Sequence, residues 1–148
     1  MRKYEAKLVI YELRLGRRIP EFNYCDLVRT EEYIEKGDSN SAATCLSLAV
    51  HWVPRIDYMA IEKKIKVIWK ALYSDFVAER NIDSSIRKIP VEELALPTRT
   101  RSALRNFNVD NVGDIFDADQ QIGLKKIPKL GKKGIQLIKS KLEELGIN

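Results

Sequence analysis

The sequence predicts an all-α protein made of an N-terminal helical bundle and a compact C-terminal helical domain. Apolar residues recur at the three- and four-residue spacing of helices through most of the first half of the protein. A polar segment over residues 83–89 then ends at Pro90, which is typical of a domain boundary. Farther on, residues 127–134 have the pattern of a tight turn that opens directly into a helix. We therefore expect an N-terminal unit over residues 1–82, a linker over 83–89 and a C-terminal domain over 90–148.

The first two helices follow from apolar spacing and from helix-starting residues. Four apolar positions define the predicted buried face of the first helix: Tyr4, Leu8, Tyr11 and Leu15. Residues 4–11 also fit the alternation of a β-strand, and the sequence leaves both alternatives open. Asn23 is a favourable start for a second helix, which is expected to reach about Lys36 and to stop at Gly37.

The third and fourth helices are predicted on either side of Pro54. Residues 41–53 are almost all apolar or small, so this helix is expected to be central and buried on nearly every side. A long fourth helix is predicted over about 57–80, with the following residues on one apolar face: Ile61, Ile65, Ile68, Trp69, Leu72 and Phe76. Its lysines are expected on a solvated face. A unit of about 80 residues has a marginal core, which is compatible with a homodimer formed through residues 1–82.

Composition places the protein in the globular class. Of its 148 residues, 45% are hydrophobic and 32% are charged, and the net charge of +5 permits binding to nucleic acid. The two cysteines, Cys25 and Cys45, lie in apolar helical patterns and are expected to be buried free thiols. No apolar run reaches the roughly 18 residues of a membrane-spanning helix. With no signal peptide visible, a cytoplasmic location and no membrane contact are expected.

The sequence offers little that would support catalysis. Its single histidine, His51, has no second histidine to pair with and is expected to be structural. No spacing of His, Cys, Asp or Glu suggests a metal site. The Gly-Lys-Lys-Gly run lacks the order of a phosphate-binding P-loop. We therefore expect a protein that is not an enzyme, with no catalytic residues, no metal and no cofactor.

The segment from Ile127 to Gly134 is the strongest functional feature of the sequence. Gly131 is expected to supply a backbone φ that bulky residues avoid, and the first N–H groups of the next helix would lack partners. Free N–H groups and the helix dipole together favour an anion, and on a basic protein that anion is often a nucleic-acid phosphate. Four lysines surround this turn: Lys126, Lys129, Lys132 and Lys133. The alternative is a solvated helix cap whose lysines point into water.

From Pro90 onward the sequence resembles the C-terminal domain of the bacterial RNA polymerase α subunit, a helix-hairpin-helix family. The resemblance rests on Pro90–Leu94, on Leu96–Arg105 as the first helix, on Val-Gly-Asp-Ile at 112–115 and on residues 124–134. It implies a compact bundle of short helices that binds the minor groove of A·T-rich double-stranded DNA and contacts activators and σ factor.

The resemblance also implies which positions contact DNA. By resemblance these are Arg99, Ser102, Lys126, Lys129, Gly131, Lys133 and Gly134. The charge around the turn adds Lys132, which completes the predicted interface. Arg99 matches the principal minor-groove arginine of the family, whereas Arg101 is left open between a solvated charge and a phosphate contact. Ser102 and Lys129 stand where the family usually has asparagine, and Gly134 where it usually has serine. These changes imply retained affinity with weaker sequence discrimination.

Two functions fit these observations. The first is a small DNA-binding accessory or regulatory protein of bacterial-type transcription, with RNA polymerase, σ factor or an activator as protein partners. The alternative is a protein-interaction module that mimics the polymerase domain and binds transcription proteins without DNA. Retention of Arg99, Gly131 and Lys133 together favours the first, because a mimic of the protein-binding surfaces alone would not need all three.

Overall fold

The computed structural model of the protein describes residues 1–76 and 83–146, and these residues are predominantly helical. They form eight α-helices and two short 3₁₀ turns and contain no β-strand, which confirms the all-α prediction. The protein divides into two compact units, Met1–Phe76 and Val77–Asn148. The sequence-based limits of 1–82, 83–89 and 90–148 stay a prediction.

The N-terminal unit contains four helices: α1 (Lys3–Leu15), α2 (Tyr24–Glu35), α3 (Ser39–Val50) and α4 (Arg55–Tyr73). Helix α2 packs against α3, while α1 packs against α4 and α2. Asn23 starts α2 as predicted, because its Oδ1 accepts hydrogen bonds from the N–H groups of Cys25 (3.1 Å) and Asp26 (3.2 Å). Asp38 caps α3 in the same manner through the N–H of Ser41 at 3.0 Å.

The buried face of α1 differs from the predicted one. The structure settles the alternative at residues 4–11 as helix and buries the residues Tyr4, Ala6, Lys7, Val9, Ile10 and Leu13. Leu15 is 69% exposed, so the face drawn through Leu8 and Leu15 is wrong. The sequence pattern missed the true stripe because a charged residue, Lys7, lies within it.

Helix α3 and the cysteines also depart from expectation. Helix α3 ends at Val50 and buries only one side, because Leu48 is 51% exposed. Cys45 is buried as predicted, but Cys25 is exposed in the first turn of α2, so its expected burial is wrong. An apolar composition alone does not distinguish a central helix from one that covers a small unit on one side.

The predicted apolar face of α4 is largely correct, but its predicted end is not. Ile65, Ile68 and Leu72 are buried at the centre of the unit. The helix stops at Tyr73, because Ser74 is extended and its hydroxyl donates to the carbonyl of Lys70 at 2.6 Å. The last predicted helical residues, 77–80, lie outside the described residues.

A buried ion pair joins α1 to α2. The ammonium of Lys7 is almost completely buried and contacts a carboxylate oxygen of Glu35, whose other oxygen lies 2.8 Å from Nζ of Lys3. Burial lowers the pKa of Lys7, and the hydrogen bond to Glu35 opposes that shift. This pair orients the two helices and explains how a lysine is accommodated in the core.

The C-terminal unit has four further helices: α5 (Ser84–Arg87), α6 (Thr98–Asn106), α7 (Val112–Gln121) and α8 (Lys132–Glu144). The 3₁₀ turns, Val91–Leu94 and Leu124–Lys126, precede α6 and α8. The segment expected to be a linker, 83–89, thus contains the short helix α5, which packs against α7.

Helix α5 is held on α7 through one arginine. The guanidinium of Arg87 donates to both carboxylate oxygens of Asp117, at 3.2 and 3.3 Å, and lies 5.8 Å from the ring centre of Phe116. A Cβ on Gly113 would lie only 3.0 Å from Cβ of Arg87. The glycine of the Val-Gly-Asp-Ile element therefore permits this close approach, and a side chain at position 113 would push against Arg87.

The core of the C-terminal unit fixes the positions of α6 and α8. Leu104 and Ile115 are fully buried, and so is Ile138, the central apolar residue of α8. The N–H of Val91 donates to the carbonyl of Asp110 at 3.0 Å, which ties the entry segment to the turn before α7. These contacts hold α6 and α8 in place and so determine which of their side chains are exposed together.

Candidate nucleic-acid interface

An open groove with a volume of about 1080 Å³ lies between α6 and the turn that enters α8. Seven of the eight residues predicted to contact DNA line this groove: Arg99, Ser102, Lys129, Gly131, Lys132, Lys133 and Gly134. Lys126 does not line it; this residue is exposed at the end of the preceding 3₁₀ turn. The fold therefore brings together residues that are up to 35 positions apart in the sequence.

The groove is strongly positive. Four of its lining side chains are exposed cations, namely Arg99, Lys129, Lys132 and Lys133, and none of its described lining residues is acidic. Within the described part of the protein these four side chains make no ion pair or hydrogen bond. Their charge is therefore available to an anionic ligand. Because no acidic side chain lines the groove among the described residues, the positive electrostatic potential there is not neutralised.

The N-terminus of α8 opens into the groove and has no capping residue that uses its side chain. Its first helical hydrogen bond runs from the N–H of Ile135 to the carbonyl of Gly131 at 3.0 Å, and Gly131 at the N-cap position provides no further acceptor. The preceding N–H groups are therefore left for an external acceptor. Helix α6 also begins beside the groove at Pro97 and Thr98, so the positive ends of two helix dipoles lie there.

The prediction that Gly131 supplies a backbone φ avoided by bulky residues is wrong. Its φ of −81° is open to any residue, and a Cβ there would meet nothing within 4 Å. The residue in the left-handed region is Lys129, with a φ of 65°. Asparagine tolerates that conformation better than lysine does, which explains why the family's usual residue suits the turn. The absent side chain of Gly131 leaves the backbone N–H groups of α8 open to close approach.

The other two arginines of α6 lie outside the groove. Nη2 of Arg105 donates to Oε1 of Glu92 at 3.0 Å. Arg101 is half-buried, and its Nη2 lies 3.4 Å from Oγ1 of Thr98. Arg99 is thus the only α6 arginine among the described residues that line the groove.

Several groove residues were not predicted from the sequence, and Asn106 is the most polar of them. It is exposed at the end of α6, four residues after Ser102 and seven after Arg99, so that the three share one helical face. That spacing was the signal that could have identified it. Leu137, 40% exposed on α8, provides an apolar part of the groove wall.

Other kinds of site receive no support from the geometry. Residues 1–76 and 83–146 hold no group of three or more His, Cys, Asp or Glu side chains that could bind a metal ion. His51 is exposed and contacts Trp52 edge-on, with 4.7 Å between ring centres. In the same part of the protein, no helix has the length and apolar character needed to cross a bilayer.

Comparison with known proteins finds a similarity for the segment that contains the groove. Residues 78–144 match the family model of the C-terminal domain of the bacterial RNA polymerase α subunit. The resemblance stated from Pro90 onward is confirmed for this segment, and residues 1–77 lie outside the match. The term α C-terminal domain denotes only residues 78–144, the segment that is similar to this family.

The similar proteins are themselves polymerase α subunits. The DNA-directed RNA polymerase α subunits of Roseiflexus sp. and Roseiflexus castenholzii are each 35% identical over 65 residues, which is 44% of this protein but only 20% of theirs. The α subunit of Bacillus velezensis is 26% identical over 80 residues, or 53% of this protein and 25% of its own. The matched region thus corresponds to a fifth to a quarter of these relatives. No solved structure gives a significant match.

Proposed function

We propose that the α C-terminal domain of this protein binds double-stranded DNA, preferentially A·T-rich DNA, and serves a non-catalytic accessory or regulatory role in transcription. One observation carries the proposal: seven of eight positions inferred to contact DNA line one groove that has four free cations and no acidic lining residue among those described. The match of residues 78–144 to the family model agrees with it, since the resemblance to that family is the source of most of these positions.

Phosphate binding is assigned to the α8 side of the groove. The uncapped N-terminus at Gly131 offers N–H donors, and Lys129, Lys132 and Lys133 surround it with charge. Such ends bind phosphate through directed donors and the helix dipole together. Lys126, which is exposed just outside the groove, would add a peripheral phosphate contact.

Base-edge contact is assigned to the α6 side. Arg99 is exposed in the first turn of α6 and has no competing acidic partner among the described residues. An arginine entering the narrow minor groove of A·T-rich DNA meets an enhanced negative potential. Ser102 offers a single short hydroxyl beside it, so discrimination between sequences is expected to be weak.

A salt-dependent titration tests the proposal. Fluorescence anisotropy of A·T-rich and G·C-rich duplexes, each at two salt concentrations, should give affinities of order 10⁻⁶ M that fall steeply with salt. Lys133→Ala should lower the salt slope by about one, whereas Lys139→Ala, which changes an exposed α8 lysine outside the groove, should not. A slope near zero for the unaltered protein would contradict DNA binding and favour a protein-interaction module that uses no DNA.

The N-terminal unit is proposed to form a homodimer. Four large apolar side chains near the α3–α4 turn are strongly exposed: Leu48 (51%), Trp52 (76%), Ile56 (80%) and Met59 (65%). Such exposure is unusual for a monomer surface and typical of an interface. Sedimentation equilibrium should report a dimer that Ile56→Glu dissociates. A monomer at all accessible concentrations would contradict this proposal and leave the surface to another protein partner.

We also propose that the protein partners belong to the transcription machinery. RNA polymerase, σ factor or an activator is the expected class, since the resemblance implies contacts of that kind, and the expected location is the cytoplasm.

A further inference from the structure

Asn106 is an exposed amide that no contact within the described residues explains. It is the last residue of α6, it lines the same groove as Arg99, and its side chain has no hydrogen-bond partner in the described part of the protein. An exposed polar side chain without a structural partner contributes little to folding. Its position beside the cationic residues therefore calls for a functional explanation.

The helix geometry sets Asn106 in line with the proposed base-contacting residues. Arg99, Ser102, Ala103 and Asn106 follow the i, i+3, i+4, i+7 spacing of one face, and all four line the groove. At about 1.5 Å per residue, Arg99 and Asn106 lie about 10 Å apart along the helix axis. That distance equals about three base-pair steps, so both side chains can contact one short DNA segment.

The surroundings of Asn106 favour a base edge over a phosphate. Asn106 lies at the C-terminal end of α6, where the helix dipole is negative and repels phosphate. The lysines that would attract phosphate belong to the α8 side. The minor-groove floor of A·T pairs presents the acceptors N3 and O2 without the amino group that guanine adds in G·C pairs, and the amide NH₂ of asparagine is a matching donor.

We propose that Asn106 is a further specificity-determining residue, whose NH₂ donates to a minor-groove acceptor of an A·T pair. It would thereby supply, one helical turn later, the amide that Ser102 lacks. This inference rests on the proposed DNA binding of the α C-terminal domain and names a residue that the resemblance does not assign.

Competition titrations with A·T-rich and G·C-rich duplexes at one salt concentration test it. Asn106→Ala should weaken binding to A·T-rich DNA by about three- to tenfold, the effect of one lost hydrogen bond, with a smaller loss on G·C-rich DNA. The salt slope should stay unchanged because no charge is removed. Gln136→Ala, which removes an exposed amide of α8 outside the groove, should bind both duplexes as the unaltered protein does. Ser102→Asn combined with Asn106→Ala should recover the A·T preference.

Each other outcome has a definite meaning. Unchanged affinity of Asn106→Ala for A·T-rich DNA would overturn the inference while leaving DNA binding itself intact. Equal losses on both duplexes with a shallower salt slope would also overturn it, because they identify a backbone contact. Absence of binding by the unaltered, folded protein would reject the proposed function together with this inference. Because Asn106 is exposed, its removal should leave the melting temperature unchanged, which circular dichroism can check.

Discussion

Gly134 in α8 lies directly against Thr100 in α6, and this contact sets the spacing of the groove walls. A Cβ at position 134 would come within 3.0 Å of Oγ1 and 3.4 Å of Cγ2 of Thr100. Thr100 is only 7% exposed and is branched at Cβ, so its side chain has little freedom to move away. The glycine that stands where the family usually has serine is thus explained by packing.

Restoring the family's serine should therefore destabilise the α C-terminal domain. Gly134→Ser is expected to lower the free energy of unfolding by about 1–3 kcal/mol through overpacking. Thr100→Ala should offset part of that loss when the two changes are combined, since it removes Oγ1 and Cγ2 but leaves Cδ1 of Leu130 at 3.2 Å from the new Cβ. Urea unfolding of the two single variants and the double variant measures the coupling. Strictly additive effects would show that the two residues do not constrain each other.

Lys129→Asn should separate stability from DNA affinity. Lysine at a φ of 65° is strained, and asparagine accepts that conformation more readily. The free energy of unfolding should therefore be about 0.5–1 kcal/mol higher in the variant. Loss of the charge should weaken DNA binding and lower the salt slope by about one. Thermal unfolding and salt-dependent titration check the two effects. A variant that is more stable yet binds DNA with an unchanged slope would exclude Lys129 as a phosphate contact.

Gly131→Asp tests the open N-terminus of α8. The position has N-cap geometry and free space for a side chain, so aspartate should maintain stability or raise it by a few tenths of a kcal/mol. The new carboxylate would occupy the N–H donors and repel phosphate, and DNA affinity should fall at least about tenfold. A thermal melt and one anisotropy titration suffice. Undiminished affinity would mean that phosphate does not bind at this helix end.

Local helix signals predicted much of this architecture, and close contacts account for what they missed. The Asn23 cap and the apolar face of α4 were predictable, because each depends on residues close together in sequence. The buried stripe of α1 was not, since Lys7 is buried only through its pairing with Glu35 on another helix. Burial that depends on a distant partner leaves no periodic apolar pattern.

The candidate interface likewise has features that local sequence predicts and features that depend on contacts between distant residues. The turn that enters α8 was predictable from glycine and lysine spacing, and the resemblance added Arg99 on the opposite wall. The strained φ of Lys129 and the contact between Gly134 and Thr100 emerge only from tertiary packing. Asn106 was detectable in principle from its helical spacing to Arg99, but only once the ends of α6 were known.

The N-terminal unit should respond to pH through Glu31. Burial raises the pKa of Glu31 despite the nearby charges of Lys7 and Arg14. The folded unit therefore retains this proton at pH values where the unfolded protein has lost it, and stability falls as pH rises from the ordinary pKa of glutamate to the raised one. Glu31→Gln should remove that decline and stabilise the unit more at about pH 7 than at about pH 4.

Urea unfolding at both pH values measures this change. Glu21→Gln is a suitable control, because Glu21 is exposed and has no ion pair among the described residues. An equal effect of Glu31→Gln at the two pH values would contradict a raised pKa for Glu31.

Arg99→Lys, titrated in competition on A·T-rich and G·C-rich duplexes at fixed salt, tests most directly whether the α C-terminal domain reads DNA through its groove. Lysine keeps the charge but loses the planar guanidinium, so binding to A·T-rich DNA should weaken by about 1–2 kcal/mol more than binding to G·C-rich DNA. Arg101→Lys, outside the groove, should show no such difference. Equal losses of Arg99→Lys on both duplexes, or no loss on either, would contradict minor-groove reading by Arg99.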